Sequence, residues 1–95
     1  MAKLILSMDG LILKEYVLAK ERTTIGRKPH NDIQIDNLAV SGEHAVVVSI
    51  LNDSFLEDLG STNGTFVNEK QVSGEAQLKL DSRVRIGETV FRYEE

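Results

Sequence analysis

Three short polar segments carry side chains whose chemistry exceeds what solubility requires: Gly26-Arg27-Lys28, Ser41-Gly42-Glu43-His44 and Gly60-Ser61-Thr62-Asn63-Gly64-Thr65. Arg27 offers a planar fork of donors suited to phosphate or carboxylate, and the hydroxyls of Ser41 and Thr62 are short, directional donors to an anionic oxygen. Together they describe a phosphate cradle. Singly, each residue has a plainer reading. Arg27 reads as a solvated strand-end charge, the hydroxyls as turn residues bonding their own backbone, and Asn63-Gly64 as a type I′ hairpin turn. Only their combination points to a ligand.

Other chemistries find less support. Ser41 and His44 suggest a nucleophile and base, but a three-residue separation in a turn does not establish a hydrogen bond, and neither an orienting acid nor an oxyanion hole presents itself. An enzyme is therefore not expected. His44 opens the apolar run Ala45-Val46-Val47-Val48 and reads as a half-buried residue bracing its loop. His30, Asp32 and Asp36 lack any spacing specific for a metal, so neither a metal nor another cofactor is expected. Gly60 to Gly64 lacks the Lys-Ser/Thr and the following helix of a nucleotide-phosphate loop.

The segments that must position these residues are short β-rich runs separated by turns, the pattern of a sandwich or barrel rather than of helices. Strands are expected at Leu4 to Met8, Leu11 to Leu18, Thr23 to Ile25, Ile33 to Ile35, Ala45 to Leu51, Ser54 to Leu59, Thr65 to Val67, Leu78 to Leu80, Val84 to Ile86 and Thr89 to Tyr93. Residues 11–22 also suit a short helix, but Tyr16-Val17 favours a strand. Asp9-Gly10, Asn52-Asp53, Asn63-Gly64, Ser73-Gly74 and Gly87-Glu88 tolerate the positive φ of tight turns. Pro29 lies in the polar loop Arg27 to Asp32, where its missing donor is harmless. In a sandwich, loops from one end gather in space, so the three polar segments could build one surface.

With 95 residues the chain is expected to form a single domain, residues 1–95, with no room for a second useful core. A net charge of −4 argues against non-specific attraction to nucleic acid or to an anionic membrane, so any anion site must be local. The absence of Cys removes disulfides, thiolate zinc sites and cysteine nucleophiles, and suits a cytoplasmic location. The opening residues turn polar too early for a signal sequence, and no window approaches the roughly 18 apolar residues of a membrane helix. A soluble protein is expected.

Taken together, these segments resemble a forkhead-associated (FHA) domain over almost the whole chain, from Leu4 to Tyr93. The family's spaced signature appears as Gly26-Arg27, Ser41-x-x-His44 and Asn63-Gly64, in order and at plausible separations. Asp32-Ile33-Gln34-Ile35 is similar to the strand after its arginine loop, and Asn68 to the residue that closes its next turn. The resemblance implies an all-β, two-sheet antiparallel sandwich of about eleven strands whose loops at one end bind an extended phosphothreonine peptide. It also implies a phosphorylated protein partner, either a Ser/Thr kinase substrate or the kinase's own phosphorylated segment.

Carried over by position, Arg27 and Ser41 contact the phosphate, Thr62 adds hydroxyl or backbone contacts, and Asn63 fixes the main chain of the peptide. Gly26 and Gly64 supply backbone room, and His44 ties the Ser41 loop to its neighbours. Two positions depart from the pattern. Gly42 stands where many relatives have Arg or Asn and leaves only a backbone donor, and Asp81-Ser82 stands where a Gly-Asp turn is common. A methyl group transfers for about 0.8 kcal/mol, so burial of the threonine methyl alone gives roughly a fourfold preference over phosphoserine. The alternative, motivated by Gly42, is a phospho-independent assembly domain that retains the signature.

Overall fold

Burial that alternates along the chain identifies the strands that face the core. In Thr89–Glu94 the buried residues are Phe91 and Tyr93, and in Arg83–Ile86 they are Val84 and Ile86, the period of two expected of half-buried strands. The computed structural model describes residues 1–8 and 10–95, and these form eleven strands and no helix. In chain order they are β1 (Lys3–Met8), β2 (Leu11–Val17), β3 (Arg22–Gly26), β4 (Ile33–Gln34), β5 (Ala45–Ile50), β6 (Asp53–Asp58), β7 (Thr65–Val67), β8 (Lys70–Gln71), β9 (Glu75–Leu78), β10 (Arg83–Ile86) and β11 (Thr89–Glu94).

They assemble as a six-stranded sheet of order β2-β1-β11-β10-β7-β8 and a five-stranded sheet of order β4-β3-β5-β6-β9. The pairing is antiparallel except between β3 and β4, which run parallel. Leu4, Ile25, Val47, Leu56, Ile86, Phe91 and Tyr93 belong to the single core cluster between the sheets. One polar contact crosses that core: the Tyr93 hydroxyl donates to Ser54 Oγ at 2.9 Å and so joins β11 to β6.

Several local expectations shift. The strand expected at Leu11 to Leu18 forms over Leu11–Val17, ending one residue early, and as the edge of its sheet it leaves Leu11, Ile12 and Leu13 exposed. The strand expected at Leu78 to Leu80 begins earlier, at Glu75, because it follows the register of β6 (Ser54 opposite Leu78, Glu57 opposite Glu75) and leaves Leu80 exposed. β8 carries no apolar residue and gave no periodic signal. Asp53 lies inside β6, so the residue with positive φ in that turn is Leu51, at 56°. Of the turn expected at Asp9-Gly10, Gly10 has φ 80°, and Asp9 lies outside the described residues.

The Asn63-Gly64 reading needs a larger correction. β6 and β7 belong to different sheets, so the loop between them crosses the sandwich instead of closing a hairpin. Only Gly64 has positive φ, 87°, whereas a type I′ turn requires it at both central residues.

Register explains why the polar loops converge. Ile25 pairs with Ala45, and Ala45 pairs with Asp58, so the end of β3, the start of β5 and the end of β6 lie side by side. The chain leaving β3, the chain entering β5 and the chain leaving β6 therefore emerge from one end.

Candidate functional site

At that end the loop after β3 is bonded to the loop before β5. Arg27 N donates to Ser41 O at 2.9 Å, and Lys28 N donates to Gly42 O at 3.2 Å. Asn31, almost fully buried, donates its amide to Lys28 O and Gly42 O, both at 2.8 Å. Gly26 is what lets these loops approach so closely. A Cβ there would run into the Gly42 carbonyl oxygen and stand 2.7 Å from Asn31 Nδ2. Because the obstacle is backbone, no rotamer change relieves it.

His44 joins this pair of loops to the third. Its ring is fully buried, Ser41 N donates to Nδ1 at 3.0 Å, and Nε2 lies 2.9 Å from Gly64 O. A backbone N–H can only donate, so Nδ1 is the acceptor and the ring proton sits on Nε2, which donates to Gly64 O. The imidazole is thus committed to two main-chain groups and does not bond the Ser41 hydroxyl.

The third loop is organised by Asp58. Its carboxylate accepts from Gly60 N and Ser61 N, both at 3.0 Å, from Ser61 Oγ at 2.5 Å and from Thr65 Oγ1 at 2.6 Å. Burial pushes this carboxyl upward, but the hydrogen bonds from Ser61, Thr65 and Gly60 outweigh it and hold the group below the usual aspartate range. Ser61 Oγ also accepts from Gly64 N at 3.0 Å, which completes the turn. On the other flank, Asp32 accepts from Lys20 and from Thr24 N at 2.9 Å, and these bonds lower its pKa as well.

Within this frame the ligand-type residues come together. Thr62 N donates to Ser41 Oγ at 3.1 Å, so the serine hydroxyl acts here as an acceptor and keeps its own proton available to donate. Asn63 Nδ2 donates to Ala39 O at 2.8 Å, which holds the side chain across the loop before β5. Arg27 is exposed and joins none of the ion pairs formed among the described residues. Gly42 presents no side chain, and Lys28 runs across its open face.

Asn68 stands apart from this cluster. It has φ 50° in the turn between β7 and β8, and its Oδ1 accepts from Arg83 N at 2.9 Å. Its bracing is local to β7, β8 and β10, at the far end of β7 from Gly64. Asn31 and Asp58 escaped the reading of the sequence. Asp58 carries a usable signal, since an Asp two residues before a turn Gly commonly accepts from the backbone N–H ahead of it. Asn31 carries none, because its partners Lys28 and Gly42 are joined only by tertiary register.

The family model for the FHA domain matches residues 23–87. The transcriptional regulatory protein EmbR of Mycobacterium tuberculosis is 33% identical over 79 residues, which is 83% of this chain and 20% of EmbR. The glycogen accumulation regulator GarA of the same organism is 38% identical over 72 residues, 76% of this chain and 44% of GarA. The chain thus spans less than half the length of either relative. Among solved structures, M. tuberculosis EmbR in complex with a low-affinity phosphopeptide superimposes with a TM-score of 0.90 at 31% identity, covering 98% of this chain and 24% of that one. A structure from work on phosphothreonine-dependent FHA domain interactions matches with a TM-score of 0.89 at 30% identity, covering 99% of this chain and 95% of that one.

Proposed function

The chain belongs to the FHA domain family, and from that premise we propose that its 95 residues act as one phosphothreonine-dependent interaction module in Ser/Thr kinase signalling. Arg27 and the Ser41 hydroxyl take the phosphate, Thr62 supports them, and Asn63 holds the main chain of the extended peptide through its amide oxygen. The observation that carries this reading is the Thr62 N to Ser41 Oγ bond at 3.1 Å. It leaves the serine proton free to donate to an anion, and the neighbouring loop, bonded to Ser41 through Arg27 N, carries an Arg27 guanidinium with no counter-ion among the described residues. A phosphate at neutral pH carries about −1.5 to −2 charge and rewards such donors. Because Asn31, His44 and Asp58 already hold the loops, little ordering remains to oppose binding.

The module binds and does not catalyse. Both nitrogens of His44 are used by main-chain groups, so His44 does not serve as a base to Ser41. No helix among the described residues is long and apolar enough to cross a membrane, and a cytoplasmic setting fits a chain without Cys that reads kinase products.

Fluorescence anisotropy against a degenerate phosphothreonine peptide library tests the proposal. The native domain should bind phosphorylated members and ignore their unphosphorylated counterparts. Arg27→Ala should weaken binding at least about tenfold, as expected for a lost charge-assisted bond, with an unchanged thermal transition. If no library member binds at up to millimolar concentration, a phospho-independent assembly role becomes the better account.

A further inference from the structure

Gly42 follows the proposed phosphate ligand Ser41 yet has no side chain, and the space above it is taken by a residue from another loop. A Cβ on Gly42 would lie 2.9 Å from Lys28 Cε and 3.2 Å from its Cδ and Cγ. The aliphatic stem of Lys28 therefore runs directly over Gly42, with its backbone anchored on either side. Lys28 N donates to Gly42 O at 3.2 Å, and Lys28 O accepts from Asn31 Nδ2 at 2.8 Å. A stem laid along a surface in this way restricts where the ammonium can go.

The ammonium itself has no partner among the described residues. The acid next in sequence to Gly42, Glu43, is paired with His30, whose Nε2 lies 3.2 Å from Glu43 Oε1. Two adjacent cations, Arg27 and Lys28, thus lie in the loop bonded to the Ser41 loop, with no ion-pair partner among the described residues. An anion held by Arg27 and Ser41 would meet this second positive charge at its edge.

We propose that Lys28 is a phosphate ligand of this site, supplying from the loop after β3 the side-chain contact that position 42 cannot make. This rests on the phosphothreonine-binding reading above. Lys28 and position 42 are then coupled, since a long side chain at 42 must occupy the space of the lysine stem.

The test is a double-mutant cycle read by phosphopeptide affinity at two salt concentrations, using a phosphothreonine peptide selected from the library and its unphosphorylated form. Lys28→Ala should weaken phosphopeptide binding about five- to tenfold, the scale of one charge-assisted contact at a partly solvated site, and should flatten the salt dependence. Gly42→Arg alone should change affinity less than about twofold, because it displaces one cation with another. Gly42→Arg combined with Lys28→Ala should recover most of the loss. Lys28 is exposed and its main-chain bonds survive the substitution, so circular dichroism should show an intact fold. If the native domain binds and Lys28→Ala binds equally well, or if the two substitutions act additively, the assignment of Lys28 is overturned while the binding site stands. If the folded native domain binds no phosphothreonine peptide, both proposals fall together.

Discussion

At the end of the sandwich that carries Arg27 and Ser41, every described residue with positive φ is a glycine: Gly10, Gly60, Gly64, Gly74 and Gly87. At the opposite end the same left-handed backbone is adopted by Leu51, Asn68, Glu69 and Asp81. The cost of that conformation for an L-residue is about 1–2 kcal/mol, less for Asn and Asp. The far end therefore stores modest strain in turns that only close strands. At the site end the backbone is unstrained, and the geometry is held by Asn31, His44 and Asp58 through bonds to main-chain groups of other loops or of their own. Strained turn residues and ligand-type residues thus lie at opposite ends of the sandwich.

The sharpest way to break this contrast is at Gly26. Gly26→Ala forces a methyl against the Gly42 carbonyl oxygen, and denaturant unfolding should show a loss of about 3 kcal/mol. Phosphopeptide binding should fall even in conditions where the variant remains folded. A loss below about 0.5 kcal/mol would mean that the loops separate freely.

Asp58→Asn removes an acceptor of four hydrogen bonds and should cost about 1–3 kcal/mol. The effect should depend on pH in a defined direction. The folded-state pKa of Asp58 is depressed, so its contribution is fully present above the unfolded value near about 4 and is lost as pH falls through the folded value. The stability gap between native and Asp58→Asn protein should therefore be constant at neutral pH and narrow below about pH 4. A gap that stays constant into strong acid would remove the carboxylate from the account of the loop.

The smallest effect is expected at the far end and has the opposite sign. Leu51 is 97% exposed and has φ 56°, so Leu51→Gly should stabilise the domain by about 0.5–1 kcal/mol while leaving phosphopeptide affinity unchanged. A change in affinity would show that the two ends are coupled.

Much of the fold was legible because most strands announce themselves by alternation, as Val84-Arg85-Ile86 and Phe91-Arg92-Tyr93 do. Where alternation is absent the sequence is silent, as at β8, and where a register dictates the bounds it misleads, as at Leu78 to Leu80. The Asp81-Ser82 departure is resolved by local chemistry. Asp81 itself takes φ 67°, and Ser82 Oγ accepts from Lys79 N at 2.9 Å, so the turn forms without Gly. Asn63-Gly64 teaches the converse. A strong local hairpin signal yields when its flanking strands are drawn into different sheets.

By itself the sequence determined the all-β class, the order and spacing of Gly26-Arg27, Ser41, His44 and Asn63-Gly64, and with them the family, because residue type and separation are properties of the chain alone. Only the tertiary structure decided that Thr62 orients the Ser41 hydroxyl, that Asn31 ties Lys28 to Gly42, and that Lys28 covers the gap at Gly42. The bonds that cross between loops join residues 11 and 21 positions apart. They exist because the register that sets Ile25 beside Ala45 and Ala45 beside Asp58 brings three loops to one end.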